Sequence, residues 1–69
     1  MRRMDVTEVL NSWEGLNETI MKLGEPECHS LLNAERTGRR RVGFLLRIHS
    51  RINKLRADRE RTELRRVAR

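Results

Sequence analysis

GRRRVGFLLRIHSRINKLRADRERTELRRVAR, residues 38–69, carries twelve Lys/Arg against three acids around a narrow apolar stripe. Leu45, Ile48, Ile52 and Leu55 are separated by steps of three, four and three, so they share one side of a helix, and bases fill the other sides. Such a segment needs an apolar partner for its stripe and a counterpart for its charge. Up to Leu55 the stripe is continuous, widened by Val42, Phe44 and Leu46. Beyond it the same line reads Arg59, Thr62 and Arg66, and up to Val67 only Ala57, Leu64 and Val67 are apolar, off that line. The sequence therefore predicts a helix over about 39–66 whose end, 57–69, projects as a charge-laced extension. Lys54–Asp58, Arg56–Glu60 and Arg59–Glu63 fall at the i,i+4 spacing that favours ion pairs on an exposed helix.

Upstream, Asp5 and Glu8 have the spacing of a capping box. Val6, Val9, Trp13, Leu16, Ile20 and Leu23 then step 3, 4, 3, 4, 3, a heptad seam that predicts one helix over about 6–23. Gly24 suits its end. Pro26, flanked by Glu25 and Glu27, suits the first turn of a second helix over about 26–37, with Cys28, Leu31 and Leu32 as its apolar contact. A single bent helix from Pro26 onward is the competing reading. The expected fold is all-α, two or three helices forming a helical hairpin that homodimerises, within one domain over 1–69. The expectation of a dimer rests on size, because a chain of 69 residues buries a small fraction of its surface and a long amphipathic helix in it has few internal partners. Val6, Val9, Trp13, Leu16, Ile20, Leu23, Leu45, Ile48, Ile52 and Leu55 are expected to form the core and dimer interface.

The net charge of +6 conceals a division. Residues 1–24 sum to −1, residues 25–37 to −2 and residues 38–69 to +9. The basic half calls for an acidic counterpart and the acidic half for a basic one. Arg40, Arg47, Arg51, Lys54, Arg61 and Arg65 form a row along the long helix that could lie in a major groove or an acidic groove; a solvated face is the plain alternative. Arg39, Arg40 and Arg41 sit where a helix N-terminus repels cations, a placement that suits binding of phosphates or an acidic surface, with a solvated charge run near a turn as the plain alternative. Phe44 precedes the stripe residue Leu45 and either flanks the core or meets a partner. Glu14 and Glu18 give the first half an acidic surface. The expected partner-binding residues are thus Arg39, Arg40, Arg41, Phe44, Arg47, Arg51, Glu14 and Glu18.

Catalytic and cofactor chemistry find little here. Cys28-His29 and His49 have no third ligand or orienting acid at a recognisable spacing, so no metal, cofactor or catalytic residue is expected. The single cysteine permits no intramolecular disulfide and suits a reducing cytoplasm. No apolar run approaches the roughly 20 residues that span a bilayer, so no membrane insertion is expected; nor is a signal peptide or a small-molecule ligand. Helix-turn-helix layout and interleaved aromatics for stacking on single strands are both missing.

The acidic capped first helix, the segment Glu25-Pro26-Glu27-Cys28 and the run from Arg39 to Arg51 together resemble small early proteins of bacteriophages, in length and layout the anti-quorum-sensing proteins of Mu-like transposable phages. The resemblance covers the whole chain loosely. It implies a small helical dimer in the cytoplasm of the infected bacterium, a non-enzymatic inhibitor that binds the DNA-binding domain of a LuxR-type quorum-sensing regulator and the assembly ATPase of type IV pili. It carries over no site residue. The alternatives are a small basic helical DNA-binding regulator and a structural helix of a virion.

Overall fold

The structure, a computed structural model, describes residues 5–68. It is all-α: α1 (Val6–Val9), α2 (Trp13–Ile20), α3 (Glu25–Thr37) and α4 (Val42–Val67), with no strand among the described residues. Arg2, Arg3 and Arg69, which enter the charge count above, lie outside them.

The expected first helix over 6–23 is two helices. Asp5 opens α1 by accepting from the amide of Glu8 at 3.2 Å, but the helix closes at Leu10 after one turn. Ser12 then takes an extended backbone (φ −145°, ψ 156°) and its hydroxyl accepts from the amide of Gly15 at 3.0 Å, starting α2 afresh. Ser and Asn offer the backbone local hydrogen bonds that compete with helix, so Asn11-Ser12 breaks a seam whose apolar spacing alone would run on. A Cβ at position 15 would meet Ser12 Oγ at 3.0 Å, so the glycine leaves the cap its room. Leu23 lies beyond the end of α2.

α3 starts one residue earlier than expected and is a separate helix. Its capping contact comes from Glu27, whose Oε1 accepts from the amide of Gly24 at 2.8 Å. The long helix starts at Val42, three residues later than the expected Arg39, because the chain is tied into a tight turn first. The amides of Gly38 and Arg40 both bond the carbonyl of Glu35, and Arg40 takes a left-handed backbone with φ 53°. A Cβ on Gly38 would press on the carbonyl of Ala34 at 2.9 Å, so the turn also requires glycine there.

α3 and α4 are the most extensively packed pair. Glu35, near the end of α3, meets Arg41 just ahead of α4. Glu25, at the start of α3, meets Arg59 far along α4. α4 therefore doubles back along α3, while α1 packs on α2 and α3, and α2 packs on α4. The buried apolar core is Val9, Leu10, Leu16, Ile20, Cys28, Leu31, Ile48 and Ile52. Val6, Leu23, Phe44 and Leu55 pack partly buried against it, and Leu45 is half-buried. Trp13 does not take its seam place inside: at the first position of α2 it stays 47 % exposed. The stripe on α4 thus finds its apolar partner within the same chain. Residues 58–67 of α4 are exposed on every side.

The packing predicts an uneven response to truncation. Ile48→Ala should cost about 2–5 kcal/mol of unfolding free energy in a urea melt at low protein concentration, whereas Leu46→Ala, two residues away on the outside, should stay within about 0.5 kcal/mol.

Candidate interaction surfaces

The strongest polar arrangement sits where α1, α3 and α4 meet. Cys28, Leu31 and Glu35 follow one another at steps of three and four, which puts Glu35 on the buried side of α3; it is 2 % exposed. A carboxylate so enclosed requires a charged partner and donors for its oxygens. Arg41 supplies both. Its amide and Nε donate to Glu35 Oε2 at 2.9 Å each, and its Nη2 donates to Oε1 at 2.8 Å. Nη2 also donates to the carbonyl of Leu10 at 2.8 Å, satisfying an orphan acceptor at the end of α1. The guanidinium lies 3.5 Å from the centroid of Phe44, and the Phe44 ring meets Trp13 edge-on at 5.4 Å between centroids. Hydrogen bonds from Arg41 hold the carboxyl of Glu35 below the ordinary glutamate value and outweigh the opposing effect of burial. The same bond raises Arg41 further.

Arg47 and Arg51 act as clasps on α2. Arg47 Nε donates to Asn17 Oδ1 at 2.7 Å and its Nη2 lies 3.8 Å from the Met21 sulfur. Arg51 Nη2 donates to the carbonyl of Met21 at 3.4 Å. Met21 closes α2, and a cation beside the free carbonyls of a helix C-terminus is favourably placed. Arg51 Nε is enclosed and lacks a hydrogen-bond partner among the described residues. Further along, Lys54 and Arg61 share Asp58, at 3.2 and 3.6 Å, and Arg56 faces Glu60 at 3.8 Å. The expected Arg59–Glu63 pair gives way to Arg59–Glu25 at 2.8 Å, which lowers the Glu25 pKa chiefly through that hydrogen bond.

The six-base row is therefore not free. Arg47 and Arg51 are engaged with α2, and Lys54 and Arg61 with Asp58; Arg40 and Arg65 stand at its two ends with no ion pair among the described residues. Of the three consecutive arginines, Arg41 turns inward, while Arg39 and Arg40 are exposed beside Arg36. Glu14 and Glu18 are exposed on α2. Large apolar side chains are also left in solvent: Trp13, Met21, Val42, Leu46, Leu64 and Val67. Trp13, next to Gly43, and Met21, next to Arg47, flank the start and end of α2 on the side that meets α4.

Little else offers chemistry. A cleft of ≈200 Å³ between α1 and the α3–α4 turn has an apolar floor of Val6, Leu10 and Ala34, and its one buried acid is the already satisfied Glu35. Cys28 is buried and its thiol pKa is raised by that burial, whereas the adjacent His29 is exposed on another side of the helix. Among the described residues no group of three His, Cys, Asp or Glu is arranged to hold a metal ion, and no helix is long and apolar enough to cross a membrane.

No protein-family model, curated protein or solved structure matches the chain.

Sequence reading isolated the exposed acids and bases but missed the roles of Glu35, Asn17 and Met21. The signal for Glu35 was present in its 3–4 spacing from Cys28 and Leu31. Nothing in the spacing of Arg47 and Arg51 marks them as clasps, since that depends on where α2 ends.

The buried pair sets an acid limit on stability. Because the folded Glu35 pKa lies below the ordinary value of 4.5, its contribution is complete above that value and is lost as pH falls through the lower folded value. Thermal melts below pH 4.5 should show stability declining, with a visibly flatter acid limb in Glu35→Gln, which should also be less stable than the native chain at pH 7.

Proposed function

We propose that the chain is a small non-enzymatic protein-binding module, docking through the face formed by α2 and the adjoining side of α4. One observation carries this reading: the middle of the basic row is engaged inside the molecule, while Trp13, Met21 and Leu46 remain in solvent beside it. An exposed Trp and an exposed Met beside arginines are residue types enriched at interface centres. A DNA-binding helix would instead keep its bases free for phosphates. The acidic flank, Glu14 and Glu18, would meet a basic protein surface. Arg39 and Arg40, exposed in the α3–α4 turn, would meet an acidic one.

The resemblance to Mu-like phage inhibitors names partners of both kinds. The DNA-binding domain of a LuxR-type regulator is itself a basic surface, suited to Glu14 and Glu18. The type IV pilus assembly ATPase is the second target, for Arg39 and Arg40. On this reading the protein acts in the bacterial cytoplasm as an inhibitor, and the expected homodimer belongs to the same proposal. The dimer would form away from Leu16, Ile20, Ile48 and Ile52, which are enclosed within one chain. A basic DNA-binding regulator is the second reading, favoured by Arg36, Arg39 and Arg40, which are exposed close together in sequence with no ion pair among the described residues.

Binding to the purified regulator domain and ATPase, after nuclease treatment, tests the proposal. Glu14→Lys with Glu18→Lys should weaken regulator binding by about tenfold or more, roughly 1.4 kcal/mol, while sparing the ATPase; the outcome for Arg39→Glu with Arg40→Glu should be the reverse. Equal loss of both partners in a folded variant would sink the two-surface arrangement. Binding that disappears with nuclease and falls steeply with salt would favour the DNA reading.

A further inference from the structure

The cleft between α1 and the α3–α4 turn is apolar below and basic at one edge. Val6, Leu10 and Ala34 make its floor; Thr7 and Asn11 edge it on the α1 side, Gly38 and Arg39 on the side of the turn. Its volume of ≈200 Å³ bounds the occupant. A cavity of about 150 Å³ takes a benzene ring, so one Leu, Met or Phe side chain fits here. Pockets for drug-sized ligands run from about 300 Å³ upward, so a whole nucleotide does not. The charge at the mouth is positive. Glu35, the one acid in the lining, is neutralised by Arg41. Arg39 and its neighbour Arg40 are exposed, with no ion pair among the described residues. The backbone of Arg40 is a second sign. It holds φ 53°, a region that glycine enters freely and a residue with a Cβ enters under strain. Strain retained at an exposed residue whose side chain is unused inside the molecule marks a binding position.

We propose that the cleft seats one apolar side chain of an acidic peptide segment on a partner protein, while carboxylates flanking that side chain meet Arg39 and Arg40. This rests on the reading that Arg39 and Arg40 face an acidic protein surface, and names the part of that surface they hold. Burial of the anchor against Val6, Leu10 and Ala34 supplies the attraction. Each guanidinium grips a carboxylate with paired N–H donors, which sets the position along the segment. Thr7 and Asn11, across the cleft, carry a hydroxyl and an amide for the main chain of the segment. A nucleic-acid strand would suit the guanidiniums but not the floor, because no aromatic ring lines the cleft for a base to stack on.

Backbone amide NMR of the full chain, titrated to millimolar concentration with the peptide Glu-Asp-Leu-Asp-Glu, decides the matter. The amides of Val6, Leu10, Ala34 and Gly38 should shift, and those of Leu16 and Asn17 on α2 should not. Glu-Asp-Ala-Asp-Glu and Gln-Asn-Leu-Asn-Gln should each bind at least about tenfold more weakly. Ala34→Leu, which fills the cleft from its floor, should abolish the shifts and keep the native circular dichroism. Arg40→Gly separates binding from folding: its melting temperature should be no lower than that of the native chain, while peptide affinity falls by about threefold or more. Absence of shifts at the cleft amides, equal affinity for the leucine and alanine peptides, or full affinity in a folded Ala34→Leu overturns the proposal. If Ala34→Leu does not fold, the peptide comparison and Arg40→Gly decide it. Hexanoate or a single-stranded oligonucleotide that occupies the cleft more tightly than the leucine peptide also overturns it, in favour of a free aliphatic acid or a nucleic acid. The functional reading is judged apart from this. Peptide binding at the cleft of a chain that binds neither regulator domain nor ATPase counts against that reading alone, and ATPase binding without any peptide shift counts against the cleft alone.

Discussion

The Glu35–Arg41 pair is the contact on which the arrangement of helices depends. A carboxylate enclosed on the inner side of α3 is tolerable only with its charge met and its oxygens bonded, and one residue does both. Because Arg41 donates from its backbone as well as its side chain, the pair also fixes the path of the turn that precedes α4. The third contact, to the carbonyl of Leu10, brings the end of the short α1 to the same point. The end of α1, the end of α3 and the approach to α4 are thus registered by a single guanidinium. Apolar burial supplies most of the attraction between them, but it is indifferent to small slips along a helix, and a bidentate ion pair is not.

A second consequence concerns the use of positive charge. A chain with a net charge of +6 would be expected to display its bases, yet those at the heart of α4 are spent on structure. Arg47 and Arg51 complete the end of α2, a helix of only eight residues with few resources of its own, and Arg59 secures the start of α3. Among the described residues, the bases whose side chains are left without a partner are Lys22 beside the end of α2, Arg36, Arg39 and Arg40 around the α3–α4 turn, and Arg65 and Arg66 at the far end of α4. The molecule therefore has basic poles and a face of mixed charge between them, not a uniformly basic flank.

How much of this was legible in the sequence follows from which forces set each feature. A separate α3 and one bent helix from Pro26 onward fit the same spacing, whereas helical class and the burial of Leu16, Ile20, Ile48 and Ile52 came from periodicity, which reports burial directly. The break between α1 and α2 did not, because a heptad pattern can persist across a two-residue interruption, and only the backbone bonding of Ser12 reveals it. The start of α4 was misplaced for a similar reason: Arg39 and Arg40 are good helix formers kept out of the helix by a turn in which the amides of Gly38 and Arg40 donate to the Glu35 carbonyl. Among the candidate site residues, Glu14, Glu18, Arg39 and Arg40 could be assigned to the surface from composition. Arg41, Arg47 and Arg51 could not be told from their neighbours, since whether an arginine faces a partner or the interior depends on tertiary contacts.

Trp13 is the chain's single tryptophan, and its ring edge rests on Phe44, whose own face lies beneath Arg41. The indole is thus joined through an edge-to-face contact and a cation–π contact to the pair that registers the helices, while about half of it faces water. Its emission is a built-in optical gauge: one label-free signal that senses both the integrity of the junction behind it and the arrival of anything that covers the surface in front.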